Sequence, residues 1–69
     1  MTLQEIGQQL MVRRKQLGLR QDDLAEMSRI TKRTIYDIEE GKGNPSFKTL
    51  SPLCDILGLE INITIKKIS

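Results

Sequence analysis

The sequence contains no histidine and only one cysteine, Cys54, among its 69 residues. Histidine and cysteine are the usual ligands of zinc, and histidine is the most frequent general base, so their scarcity argues against a metal site and against catalysis. A single cysteine forms no disulfide within the chain, which is typical of proteins in a reducing compartment. We therefore expect a cytoplasmic protein that is not an enzyme and has no cofactor.

Long apolar runs are also lacking. No stretch approaches the roughly 20 apolar residues that a membrane span needs. The N-terminal residues TLQEIGQQL do not have the basic-then-apolar layout of a signal peptide. We expect one small soluble domain, whose marginal core depends on helix packing or on association with another chain.

Charge of one sign is only slightly in excess, with 11 basic and 9 acidic residues and a net charge of +2. Such a balance does not by itself indicate a nucleic-acid partner. The basic residues are nevertheless clustered along the chain, as Arg13, Arg14, Lys15 and Arg20, then Arg29, Lys32 and Arg33, then Lys42. This segregation is typical of a protein with one face toward an anionic partner.

Two short helices joined by a tight turn are predicted between Leu19 and Gly41, where the sequence reads LRQDDLAEMSRITKRTIYDIEEG. The first helix should run from Gln21 to Met27, and the second from Lys32 to Glu39 with Thr31 as its N-cap. The second helix has aliphatic residues at helical spacing and polar residues between them. The arrangement is that of a helix-turn-helix, in which the second helix reads DNA.

Helices are also predicted on both sides of this segment. Thr2 and Glu5 form a capping box for a helix from Leu3 to Leu17. Ser46 is a suitable N-cap for a fourth helix, whose buried face should consist of Phe47, Leu50, Leu53, Cys54 and Leu57.

Pro52 complicates the fourth helix, because proline in a helix interior removes a hydrogen bond and clashes with the preceding turn. Two outcomes are open. The helix is either kinked between Lys48 and Pro52, or a short turn precedes a helix that begins at Ser51.

After Gly58 the spacing of apolar residues changes from helical to every second position. Apolar and polar residues alternate up to Lys66, and the apolar positions are Leu59, Ile61, Ile63 and Ile65. This pattern predicts a β-strand. Since no second strand is predicted, its backbone groups need a partner from another chain, and we expect the same strand of a second copy in a two-fold homodimer.

Residues 17–50 resemble the DNA-binding domain of the phage repressor, Cro and Xre family, and the resemblance covers about residues 6–59. The residues at the family spacings are Gln21, Leu24, Ala25, Ile30, Thr31, Ile35, Ile38, Glu39, Gly41, Asn44 and Pro45. The sequence departs from the family at Arg20, where a serine or threonine cap is more common, and at Ser28, where glycine is usual. The resemblance implies a mainly α, lambda-repressor-like domain of four to five helices.

The resemblance also implies double-stranded DNA as a partner, with the third helix in the major groove. Base contacts are then expected from Lys32, Arg33, Tyr36 and Asp37, and phosphate contacts from Arg20, Gln21, Thr31, Thr34, Lys42 and Asn44. Arg14 and Glu39 resemble a buried ion pair of the family that links the first helix to the third. For the surface residues, the plainer alternative is solvated side chains of an ordinary helix or turn.

The alternating C-terminal segment resembles a narrower group, the HipB-type antitoxins, whose dimers are joined by a small intermolecular sheet. We therefore expect a DNA-binding domain in residues 1–58, and a dimerisation strand with a short tail in residues 59–69. The group resemblance implies a repressor that binds an inverted repeat, autoregulates a toxin–antitoxin operon and binds a HipA-like kinase toxin. The alternative is a stand-alone regulator, of the phage or restriction-modification controller type, without a toxin partner.

Overall fold

The computed structural model describes residues 1–64 and 66, and that part of the chain contains four helices. They are α1 (Leu3–Gln16), α2 (Gln21–Ser28), α3 (Lys32–Glu39) and α4 (Phe47–Leu57). The mainly helical fold is confirmed, and no fifth helix is present in the described residues. None of the helices there is both long enough and apolar enough to cross a membrane.

The start of α1 is fixed by the predicted capping box. The Glu5 backbone N–H donates to the Thr2 hydroxyl at 3.1 Å, and the Thr2 backbone N–H donates to the Glu5 carboxylate at 2.9 Å. The hydrogen bond from the Thr2 backbone lowers the pKa of Glu5, because it favours the charged carboxylate. Two orphan donors of the first turn are thereby satisfied within the chain.

The turn between α2 and α3 has its left-handed residue at Arg29, with φ of 60°. The Arg29 backbone N–H donates to the Ala25 carbonyl at 2.9 Å, and the Ile30 backbone N–H donates to the Ser28 hydroxyl at 3.2 Å. Glycine would therefore suit position 29. This position is one residue after Ser28, where the sequence departs from the glycine that is usual in the family. A non-glycine residue in this conformation costs about 1–2 kcal/mol.

The fourth helix is continuous from Phe47 to Leu57 with Pro52 inside it, so the predicted restart at Ser51 is wrong. Its N-cap is Ser46, as predicted, and the Ser46 hydroxyl accepts from the Thr49 backbone N–H at 3.3 Å. Proline is tolerated because Pro52 is only the sixth residue of α4. The one hydrogen bond it removes would have gone to the carbonyl of Lys48, an exposed residue in the first turn where water can replace the donor.

The predicted burial of Phe47 is also wrong, since this residue is 67% exposed. Phe47 is the first residue of α4, and the core contacts of the helix come from Leu53, Cys54 and Leu57. An apolar residue at helical spacing thus lies at the surface.

The core lies between all four helices and consists of Leu10, Leu24, Ile35, Ile38, Leu53, Cys54 and Leu57. Both α1 and α2 pack against α3 and against α4. Helices α1 and α3 approach closely at Gly7, where a methyl group would overlap the carbonyl oxygen of Ile38 near the end of α3. Helices α1 and α3 can therefore lie this close only because Gly7 has no side chain.

The C-terminal segment begins at Gly58, which ends α4 in the left-handed conformation with φ of 70°. The Leu59 backbone N–H donates to the Cys54 carbonyl at 2.8 Å, and Leu59 is half-buried against the core. Residues 59–64 and 66 form no strand in the single chain, and Ile65 lies outside the described residues. The predicted strand requires a second chain, so it stays a prediction.

Candidate nucleic-acid interface

The third helix separates buried from exposed residues along its length. Ile35, Ile38 and Glu39 are buried, whereas Lys32, Arg33 and Tyr36 are exposed. Thr31 is the N-cap, as predicted, and its hydroxyl accepts from the Thr34 backbone N–H at 3.2 Å. Helix α3 therefore offers one cationic and aromatic face to solvent, beginning at its N-terminal residue.

The four residues expected to contact bases share this face, and each has a partner within the chain. Lys32 Nζ lies 3.2 Å from Asp22 Oδ1 at the start of α2, and Arg33 Nε lies 3.3 Å from Asp37 Oδ2 one turn along α3. The ring of Tyr36 has Lys42 Nζ 5.7 Å from its centroid, within the range of a cation–π contact. These ion pairs are largely solvent-exposed and individually weak, so the cations remain available to another anionic partner at small cost.

A buried polar network holds this face in place. The Arg14 guanidinium donates to both carboxylate oxygens of Glu39, from Nε at 2.7 Å and from Nη2 at 2.9 Å. Gln21 Nε2 donates to Glu39 Oε1 at 3.0 Å, and Arg14 Nη1 donates to the Leu19 carbonyl at 2.8 Å. Hydrogen bonding to Glu39 raises the pKa of Arg14 further. The network ties α1, the start of α2 and the end of α3 into one unit.

The residues expected to contact phosphates are distributed around this face. Arg20 immediately precedes α2, Gln21 begins it, and the Thr31 and Thr34 hydroxyls are 2.9 Å apart at the start of α3. Lys42 and Asn44 are exposed in the loop after α3, where the Lys42 backbone N–H donates to the Asp37 carbonyl at 2.8 Å. The Gln21 side chain is already engaged with the buried network, through its bond to Glu39.

Two contacts near this face were not predicted in the sequence analysis. Asp22 pairs with Lys32, and the Asp23 carboxylate accepts from the Arg20 backbone N–H at 2.8 Å. The acidic residue three positions after Arg20 is the signal that predicts the second contact. The first contact depends on the angle between two helices, which no local pattern encodes.

The residues predicted to form the dimer strand lie on the C-terminal segment, which contains no residue of the α3 face. Leu59 is half-buried, Ile61 is exposed and Ile63 is 98% exposed. Two isoleucines of the segment are thus exposed in the single chain.

A comparison with protein families decides the class of this fold. A family model described as helix-turn-helix matches residues 10–63, which include all of α2, α3 and α4. The chain belongs to the helix-turn-helix family. Its matched region contains both the exposed face of α3 and the turn at Arg29 that positions it.

Two relatives of this helix-turn-helix chain show how similar its sequence is to other members. It is 32% identical over 60 residues to the immunity repressor protein of Bacillus phage phi105, a match that covers 87% of this chain and 42% of the phage protein. It is 40% identical over 47 residues to an uncharacterized helix-turn-helix transcriptional regulator of Methanothermobacter thermautotrophicus, with 68% of each chain covered. The chain thus spans less than half the length of the phage repressor that it matches.

Proposed function

We propose that this chain is a sequence-specific DNA-binding repressor of transcription that acts as a homodimer on an inverted repeat. The observation that carries the proposal is the exposed face of α3, with Lys32, Arg33 and Tyr36 toward solvent and Ile35 and Ile38 in the core. In this family a helix with such a face enters the major groove. The relatives, an immunity repressor and a transcriptional regulator by name, support the same role.

Base recognition is assigned to four side chains of α3. The Arg33 guanidinium has the fork geometry that pairs with O6 and N7 of guanine, and Lys32 donates to the same atoms as a point charge. Asp37 either accepts from N4 of cytosine or holds Arg33 in position, as it does in the free chain. Tyr36 lies on the same exposed face, and each good base contact is worth about 1–3 kcal/mol of discrimination.

Positioning on the duplex is assigned to the surrounding polar groups, namely Arg20, Gln21, Thr31, Thr34, Lys42 and Asn44. Gln21 begins α2, where backbone N–H groups and the positive end of the helix dipole favour a phosphate. Because phosphate contacts release bound counterions, affinity should fall steeply as salt concentration rises.

The dimer is assigned to the C-terminal segment, through antiparallel pairing of the strand that contains Leu59, Ile61, Ile63 and Ile65 with its copy. Residues 1–58 then form the DNA-binding domain, and residues 59–69 the dimerisation segment. Two recognition helices on a two-fold axis require an operator of inverted half-sites, whose centres lie about 34–36 Å apart or at a multiple of that distance.

Selection from a library of random DNA duplexes tests the proposal directly. The full chain should enrich sequences that contain an inverted repeat, and its affinity for them should exceed that for shuffled duplexes of equal composition by at least about a thousandfold at one fixed salt concentration. Equal affinity for selected and shuffled duplexes would show that the chain does not read sequence.

A second role, as an antitoxin of the HipB type, is favoured by the exposed aliphatic segment around Ile63. In this role the chain masks a HipA-like kinase toxin, and repression is autoregulation of the shared operon. Affinity purification from the native cell discriminates the two. A stoichiometric kinase-like partner supports the antitoxin role, whereas recovery of the chain with itself alone supports a stand-alone regulator.

A further inference from the structure

Three surface depressions meet at Leu59, where the C-terminal segment crosses α1 and α4. Their volumes are about 310, 260 and 220 Å³, and Leu59 lines all three. No residue of α2 or α3 lines any of them. The surface around Leu59 is therefore incompletely filled, and it is distinct from the face assigned to DNA.

The smallest of these depressions is lined by both apolar and polar residues. Phe47, Ser51, Cys54 and Asp55 line it from successive turns of α4, and Leu59, Glu60 and Ile61 line it from the C-terminal segment. Phe47 is 67% exposed and Ile61 is 45% exposed, so both present large apolar areas to solvent. We refer to Phe47, Leu59 and Ile61 as the Phe47 patch.

We infer that the Phe47 patch packs against a second copy of this chain and is part of its dimer interface. The inference rests on the homodimer of the proposed function, but it does not depend on DNA recognition. It adds a helical surface of α4 to an interface that the sequence pattern assigns to the strand alone.

The area that a stable dimer needs is the reason for choosing a second copy as the occupant. Stable interfaces bury about 1,200–2,000 Å² in total. A two-stranded ribbon by itself is at best marginally stable in water. The strand pair therefore needs further apolar surface beside it, and the Phe47 patch includes Ile61 of the segment predicted to form that strand.

The chemistry of the patch suits this role. A phenylalanine side chain buries about 150–250 Å² when it is fully covered, and a two-fold axis counts that contribution twice. Cys54 and Leu59 supply an apolar floor, with Cys54 buried and Leu59 half-buried. No residue of α2 or α3 lines the depression, so packing at the patch does not use the side chains assigned to DNA.

Sedimentation equilibrium of the full chain with the substitution Phe47→Ser tests the inference. We expect the dimer dissociation constant to rise by at least about tenfold, as for an aromatic anchor of an interface. The matched control is Met27→Ser, because Met27 is a 55% exposed residue of α2 that lines none of the depressions. This control should leave dimerisation unchanged, and circular dichroism should show the same helix content for both variants.

A second measurement uses the absence of tryptophan from the sequence. In the variant Phe47→Trp the new indole is the only one, so its emission reports the surroundings of position 47. We expect the emission maximum to move to shorter wavelength as the protein concentration rises through the dimer dissociation constant. An emission maximum that stays constant while sedimentation shows dimers would overturn the inference.

The remaining outcomes are equally decisive. An unchanged dimer dissociation constant for Phe47→Ser excludes the patch from the interface, even if the strand is in it. A native chain that remains monomeric at high concentration excludes a second copy as the occupant, whatever other protein covers the patch. A dimer that weakens with Phe47→Ser but fails to enrich DNA in the selection retains this inference and rejects the proposed function.

Discussion

Glu39 accepts three of the hydrogen bonds that join the helices, two from Arg14 and one from Gln21. Its side chain is only 2% exposed and that of Arg14 only 9%, so the pair is shielded from water. Every buried side-chain nitrogen and oxygen in the described residues has a hydrogen-bond partner. A single residue thus anchors both ends of the helix-turn-helix.

We predict that Arg14→Ala lowers the free energy of unfolding by about 3–5 kcal/mol, because it leaves the Glu39 carboxylate buried without its partner. Urea denaturation measures this loss. The double variant Arg14→Met with Glu39→Leu should lose clearly less than Arg14→Ala, since it leaves no buried charge behind. If the double variant loses as much free energy of unfolding as its two single variants together, the two charges are not coupled.

Arg29 gives a second prediction, of opposite sign. Its left-handed backbone suits glycine, so Arg29→Gly should raise the free energy of unfolding by about 1 kcal/mol. The control Arg29→Ala removes the same charge but retains a Cβ atom, and it should give no comparable gain. Equal effects of the two substitutions in urea denaturation would assign the change to charge and not to backbone strain.

At the scale of the helices, the parts that are local in sequence were predictable. Thr2, Thr31 and Ser46 mark the starts of α1, α3 and α4, because a cap acts only on backbone groups of the next turn. The effect of Pro52 was not predictable, since the helix loses one bond near its exposed start and retains its packing through Leu53 and Leu57. The exposure of Phe47 likewise depends on which elements reach it.

The candidate site divides in the same way. The exposed face of α3 follows from its periodicity, whereas the pairing of Lys32 with Asp22 and the closeness of α1 to α3 at Gly7 follow from packing. The contact between Gln21 and Glu39 spans α2 and α3 and is equally invisible to local patterns.

Gly7 provides a prediction for the packing of α1 on α3. The substitution Gly7→Ala places a methyl group against the backbone of Ile38, which cannot move without displacing α3. The strain, about 1–3 kcal/mol, should outweigh the gain of about 1 kcal/mol in helix propensity. Thermal unfolding should therefore occur at a lower temperature.

Gln8→Ala is the matched control, because Gln8 is the exposed neighbour of Gly7 in the same helix. It should leave the unfolding temperature nearly unchanged. A higher unfolding temperature for Gly7→Ala would contradict the close contact of α1 with α3 at this position.

At the scale of the whole molecule, the proposed function assigns DNA contact to α3 and association to the C-terminal segment. The α3 face presents Lys32, Arg33 and Tyr36, while the surface around Leu59 includes the exposed side chain of Ile61. The strand predicted from Leu59 to Lys66 cannot be tested in a single chain, because its hydrogen-bond partners would come from a second chain.

We predict that a chain ending at Gly58 is monomeric in sedimentation at concentrations where the full chain is dimeric. It should still bind a duplex with one half-site but lose the added affinity for two, because the second half-site then binds independently. Circular dichroism establishes that the four helices are retained. A shortened chain that remains dimeric would remove the C-terminal segment from the interface.

The central claim is that α3 reads base edges, and the base preference of Arg33→Ala tests it most directly. Selection with this variant should lose the preference for one base pair in each half-site, at symmetric positions, while weak binding to all duplexes persists. Lys66→Ala, which removes one exposed positive charge from the C-terminal segment, should keep the native preference. A base preference of Arg33→Ala identical to that of the native chain would contradict the assignment of α3 as the reading helix.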